Sequence, residues 1–235
     1  MGELGIGTVP PVPNGRVIFQ RAVSVPFGAA SLAGFRRWAK SADFPDRGRV
    51  DYLAGDVEVD MTPESLNAHG DPKMVIGAGL KVEFDARDLG PVFTDRARLS
   101  NVPAGLSCEP DVLCLLWTTL ESGRARLVRT ADGDDWIEVE GSADLVVEVV
   151  SPSSERKDTV ELRALYHAAG VTEYWIVDAR GETSRLDVLV RAQDAYVLQT
   201  TDREGFALSP ILGRRVRLVR RASRAQVARH RLEIV

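Results

Sequence analysis

Cysteine and histidine are scarce in this 235-residue chain, with two of the first and three of the second. Cys108 and Cys114 flank an apolar run; if that run is one strand, a rise of about 3.3 Å per residue separates them too far for a disulfide, and reduced thiols fit a cytoplasmic protein. His69, His167 and His230 have no metal-ligand spacing to one another or to the cysteines, which argues against a zinc site. Long apolar runs are also missing: Leu145 to Val147 and the stretch around Leu113 to Trp117 fall far short of the roughly 20 residues that cross a bilayer. Residues 1–15 hold Glu3 and three prolines but neither the basic nor the apolar region of a secretory signal, so they read as a flexible arm. Positive charge is not in excess. Thirty Lys+Arg against 34 Asp+Glu give a net −4, so any site for a polyanion must be local. No P-loop sequence occurs, and Ser151 to Ser154 lack the Gly-x-Ser-x-Gly elbow of a serine hydrolase, leaving a turn and helix entry.

What is present is an ordinary balance of 44% hydrophobic and 27% charged residues, enough to bury a core in one domain or two small ones; ordered structure is expected from Arg16, and the chain is read as a single domain over residues 16–235. Residues 30–42 place Leu32, Phe35, Trp38 and Ala39 at helical spacing behind a Ser31 cap. Residues 49–61 alternate around Ala54-Gly55-Asp56 as a hairpin. Thr62-Pro63-Glu64 predicts a helix start running toward Leu80, kinked at Gly70-Asp71-Pro72. Short strand-like runs follow at 92–99, 111–117 and 144–150. Residues 158–169 predict a helix with Leu162, Leu165, Tyr166 and Ala169 on one face, Asp158 as cap, Gly170 as stop and His167 toward solvent. Strands are expected at 173–178, 186–191 and 196–200. The segment 214–231 carries eight arginines and no acid. It reads either as a phosphate-binding element or, slightly favoured, as an amphipathic piece with Val216, Leu218 and Val219 inward and its arginines paired with surface acids.

Two carboxylates stand where burial needs a reason. Asp111 enters the apolar run Val112 to Leu116, and Glu148 lies inside Asp144 to Val150. On neighbouring strands they could share one Mg²⁺, which takes one or two carboxylates together with water and phosphate oxygens. Equally, Glu148 could pair with an arginine while Asp111 caps or bridges a strand end. Spacing alone leaves both open.

The run Glu148 to Asp178, EVVSPSSERKDTVELRALYHAAGVTEYWIVD, with Glu109-Pro110-Asp111 and residues 52–69, YLAGDVEVDMTPESLNAH, resembles the Uma-two family of restriction endonucleases, within the PD-(D/E)XK superfamily. The resemblance spans residues 30–220 and is carried by Glu148, Ser151, Pro152, Asp158, Tyr166, Gly170, Val171, Glu173, Tyr174 and Trp175. It implies a restriction-endonuclease-like core, a central mixed sheet flanked by helices, and a Mg²⁺-dependent endonuclease acting on DNA, with Mn²⁺ able to substitute. Asp111 and Glu148 take the positions of the two motif acids and metal ligands. Asp51 and His69 match auxiliary positions, and similar nucleases often form homodimers. The usual lysine two residues after the second acid is Val150 here, and the helical position to which relatives move it is Leu162. Lys157 is the candidate replacement, with Arg163 the nearest cation on the helix proper. The missing lysine also supports another reading, a catalytically impaired relative that binds nucleic acid or a protein partner. That reading predicts a Lys157 turned away from the acids.

Overall fold

The computed structural model describes residues 25–130 and 132–235; the arm expected over 1–15 lies outside them. A 3₁₀ turn, Phe27–Ala30, leads into α1 (Leu32–Ala39), where the Ser31 hydroxyl accepts the Gly34 N–H at 3.2 Å and Phe35 and Trp38 are buried. This helix is shorter than residues 30–42. Strands β1 (Arg49–Leu53) and β2 (Asp56–Asp60) form the expected hairpin, turning through Ala54 and Gly55 with φ of 51° and 112°, the left-handed pair that a tight two-residue connection requires.

The helix expected from Thr62 begins later. Thr62 turns its N–H and hydroxyl onto Asp60, and the first turn opens at Ser65, whose hydroxyl accepts the Ala68 N–H at 3.2 Å. That turn, Leu66–Gly70, is π-helical and runs into α2 (Asp71–Ala86), which has Pro72 in its first turn, where a missing N–H costs nothing.

The run 92–99 splits into β3 (Val92–Thr94) and β4 (Arg98–Asn101) because Asp95 and Arg96 both take positive φ, at 39° and 59°. Next come β5 (Leu106–Cys108) and β6 (Val112–Cys114), so Cys108 and Cys114 lie on separate strands, both free and buried, because Glu109-Pro110 interrupts the run. Trp117 opens α3 (Trp117–Glu121) instead of closing a strand. After β7 (Ala125–Arg129), β8 (Trp136–Gly141) and β9 (Leu145–Val149), a second π-helical turn, Lys157–Glu161, precedes α4 (Leu162–Ala168). Asp158 is therefore inside a helical turn and not its cap, its N–H bonded to the Ser154 carbonyl at 2.8 Å. Gly170, at φ 76°, ends α4 as expected. His167 is half-buried, 2.9 Å from the Ala192 carbonyl, and does not point freely to solvent. Then follow β10 (Glu173–Asp178), β11 (Arg185–Arg191), β12 (Tyr196–Leu198), β13 (Ala207–Ser209), β14 (Arg214–Arg224) and β15 (Val227–Ile234).

Among the described residues there are three sheets. Two are mixed and six-stranded, ordered β2-β1-β5-β4-β8-β7 and β12-β11-β10-β9-β6-β3; the third is β13-β14-β15. The parallel pair β9–β10 is joined through α4, the crossover that parallel neighbours need. The second sheet lies at the centre and is buried on both faces, which is why β9 and β10 read as continuous apolar runs. Leu145, Val147, Val149, Trp175 and Val177 pack on Ile76, Leu80 and Phe84 of α2 and on Val216 and Leu218 of β14. Val146, Val150, Tyr174 and Ile176 pack instead with Leu99, Leu106 and Val139 of the first sheet and with Leu162 and Tyr166. Glu148 shares this second face.

Candidate active site

The antiparallel register of β6 on β9 pairs Val112 with Val147, which sets Asp111 beside Glu148 at the strand end. Both carboxylates are almost fully buried. From the first sheet, β1 contributes two residues on one face. Asp51 accepts the Glu109 N–H at 3.0 Å, and Arg49 reaches between the two acids. A single Arg49 nitrogen, Nη2, lies 3.3 Å from both Asp111 Oδ1 and Glu148 Oε2 and donates to the Glu109 carbonyl. Asp111 Oδ2 accepts the Val149 N–H at 2.7 Å and lies 3.4 Å from His69 Nε2. Glu148 Oε1 accepts the Tyr166 hydroxyl at 2.7 Å. Lys157 is buried, with Nζ 3.3 Å from Asp51 Oδ2.

The two π-helical turns place His69 and Lys157. A π turn is a rare, wide coil that recurs at functional sites, and here each one carries its residue, His69 or Lys157, to a buried position.

The electrostatics separate the two acids. Burial pushes both carboxyls up. For Asp111, Arg49, His69 and the Val149 N–H outweigh it and hold the group down at about 2. For Glu148, burial outweighs Arg49 and is reinforced by Asp111 and Asp158, so the carboxyl rises to about 8. Burial also works against the Lys157 ammonium, but Asp51 and Glu148 hold it above its ordinary value. Burial lowers His69 as well, and its hydrogen bond to Asp111 more than compensates.

A cleft of about 560 Å³ reaches Arg49, His69, Asp111 and Ser151, and a second of about 720 Å³ reaches Arg49, Asp51 and Lys157. Both are lined by Asp60, Thr62 and Ser153, whose hydroxyls at Thr62 and Ser153 lie 3.2 Å apart. Ser151 to Ser154 form a closed turn, with Ser154 donating to Asp158, and supply no nucleophile arrangement.

The structure thus gathers Asp51, His69, Asp111, Glu148 and Lys157. It does not bring in Arg163, which donates to the Tyr196 carbonyl at 3.2 Å on the β12 side of α4. Two site residues escape a reading of the sequence alone. Arg49 precedes Asp51 by two residues, and strand alternation, which puts both on one face, was the available signal. Tyr166 is among the residues that carry the resemblance, but it sits in an apolar helical stripe, and its partnership with Glu148 was signalled only by the need of a buried hydroxyl for a partner. The pairing of Glu148 with an arginine, one of the two alternatives that spacing left open, is present. Asp111 converges on that same guanidinium.

Among the described residues no group of three or more His, Cys, Asp or Glu side chains is arranged to hold a metal ion. The donor set that does exist is two carboxylates and one backbone carbonyl around a single positive nitrogen. These are hard oxygens of the kind that Mg²⁺ and Mn²⁺ take in open sites completed by water and phosphate. The set fits a divalent ion in its oxygen chemistry.

A mixed sheet flanked by helices, carrying one acid at a strand end and another inside the neighbouring strand, defines a restriction-endonuclease-like fold. A solved structure described as a "putative nuclease belonging to DUF820 from Anabaena variabilis ATCC 29413" matches with a TM-score of 0.53, at 15% identity, over 70% of this chain and 83% of that one. The model of the Uma2 family, described as "Putative restriction endonuclease", matches residues 32–219, and the chain belongs to that family. No curated protein matches.

Proposed function

We propose that this chain is a Mg²⁺-dependent endonuclease that hydrolyses phosphodiester bonds in DNA, with Mn²⁺ able to substitute. The observation that carries this is the convergence of Asp111 and Glu148 on one cation position beside the buried ammonium of Lys157. When bound, a divalent ion would acidify a water and offset charge developing on the phosphoryl group. The chain's own residues supply the rest. Val149 N–H and His69 hold Asp111, and the Tyr166 hydroxyl holds Glu148. Lys157, kept charged by Asp51, adds positive charge at the phosphate.

A DNA partner fits the distal part of the β14–β15 hairpin. Toward its base, Arg214, Arg215, Arg217 and Arg231 pair with Glu83, Asp202, Glu204 and Glu233, and Val216 and Leu218 face inward. Val219 points the other way, opposite Arg231, because strand alternation separates it from Leu218. At the tip, Arg221, Arg224 and Arg229 are exposed. Arg221 stands directly across from Arg229. The tip is fastened through Asn67, which accepts the Ala228 N–H at 3.2 Å, to the helical turn that carries His69. This contact ties the hairpin to the turn whose Ala68 and His69 line the cleft. One domain, working as a homodimer in the cytoplasm, accompanies this reading.

One observation favours a second reading, the impaired relative. Arg49 already fills the cation position. The inward Lys157 weighs against it. Incubating the full chain with supercoiled and linear DNA and with Mg²⁺ or Mn²⁺ separates the two. Cleavage that needs the ion and falls by at least about a hundredfold in Asp111→Asn and Glu148→Gln supports the nuclease. DNA retained but uncut supports the second reading, and cleavage undiminished in both variants removes the acid pair from the mechanism.

A further inference from the structure

The geometry points to Arg49 as a resident cation in the metal position, so that divalent-ion binding at this site is an exchange in which the guanidinium must leave. This rests on the metal reading of the acid pair proposed above. Three oxygens converge on Arg49 Nη2: Asp111 Oδ1 and Glu148 Oε2, each at 3.3 Å, and the Glu109 carbonyl. Arg49 Nε lies 4.0 Å from Asp51 Oδ2. Two cations cannot share this space. A guanidinium stays protonated at any working pH, so it cannot give way by losing its charge; it gives way only by moving.

The surroundings allow the movement. The acids are held from behind by groups other than Arg49: Asp111 by the Val149 N–H and His69, Glu148 by the Tyr166 hydroxyl. Their carboxylates therefore keep their aim when the guanidinium withdraws. Arg49 is the first residue of β1, its side chain is 23% exposed where those of both acids are at most 3%, and it lines both clefts. Displaced into either cleft, the guanidinium keeps its charge at the mouth of the site, where its planar fork suits two phosphate oxygens. Arg49 then has two stations: counter-ion to the acids without metal, and phosphate ligand with it. The exchange makes ion binding weak in the absence of substrate and favourable once a phosphate receives the guanidinium.

The test is a calorimetric titration of Mn²⁺ into the full chain, beside Arg49→Met, Arg49→Lys and the double variant Arg49→Met/Asp111→Asn, with thermal melting recorded in parallel. Removing the competing charge should tighten Mn²⁺ binding at least about tenfold in Arg49→Met, whereas Arg49→Lys, which keeps a cation there, should stay near the wild type. The double variant should lose the gain. If Arg49→Met unfolds without metal, its refolding on adding Mn²⁺ supports the exchange, because the ion then replaces the missing counter-ion; failure to refold overturns it. Equal affinities in wild type and a folded Arg49→Met overturn the exchange while leaving the metal site standing. No binding by any variant overturns the exchange together with the metal reading beneath it.

Discussion

The two faces of β9 are built from alternate residues of one short strand, yet they do different work. Leu145, Val147 and Val149 look onto α2 and the third sheet through apolar contact alone. Val146, Glu148 and Val150 look onto the first sheet, and the middle position holds a carboxylate among Arg49, Asp111 and Tyr166. The apolar face gains free energy from every buried methylene. The other carries a buried carboxyl whose desolvation is offset only by placed partners, and breaking such a set is costlier than never having had it. The buried polar partners are therefore confined to one strand parity, within a single layer.

Truncation on the apolar face should give the largest effect. Trp175→Ala, beside Val147 on β10, should cost about 3–5 kcal/mol in urea unfolding, with DNA cleavage per folded molecule retained; a loss under about 1 kcal/mol would mean that this face does not carry the core. On the charged face the signature is pH dependence. Glu148 keeps its proton in the folded protein up to about 8, against an ordinary value of 4.5, so between those values the folded state binds more protons than the unfolded one. Stability of the metal-free protein should fall as pH rises through that window, and Glu148→Gln should flatten the slope. Asp111 acts oppositely: held at about 2, its contribution is present above its ordinary 3.8 and is lost only as pH falls toward 2, outside the window. A wild-type profile flat from pH 5 to 8 would contradict the assignment to Glu148.

A smaller effect is expected one layer back. Tyr166→Phe removes the hydroxyl at 2.7 Å from Glu148 and should cost about 0.5–1.5 kcal/mol, and the loss should vanish in a Glu148→Ala background if the two groups act through each other. Smallest is the hairpin tip, remote from both faces. Arg221→Gln relieves a like-charge pair across the ladder and should raise stability by roughly 0.2–1 kcal/mol while weakening DNA binding and its salt dependence. A loss of stability would show that the tip arginines hold the hairpin together.

Much of this division can be read from the order of residues. The alternation of 49–61, the apolar runs at 145–149 and 173–178 and the stop at Gly170 are local signals, and each becomes the expected element. Asp111 and Glu148 are conspicuous for a similar reason: acids in apolar surroundings demand partners. The split of 92–99 across two sheets is not local. Asp95 and Arg96 adopt left-handed backbone because the chain must pass from one sheet to the other, and neither residue type announces it. The helix start shows the same competition, since Thr62 and Ser65 both offer a capping hydroxyl, and Asp60 captures Thr62.

Lys157 marks the border between the two kinds of information. Its place next to Asp158 is visible in the chain, but the flanking Glu155-Arg156 does not tell a solvated lysine from a buried one. The π-helical turn and the approach of Asp51 from another sheet make it buried and charged. Residue order thus carried the elements, the apolar faces and the identity of the two acids, because these depend on periodicity and on the cost of burying charge. Arg49's place between Asp111 and Glu148 came only from packing one sheet against another, since the nearer of these two acids lies 62 residues along the chain and no local pattern couples positions so far apart.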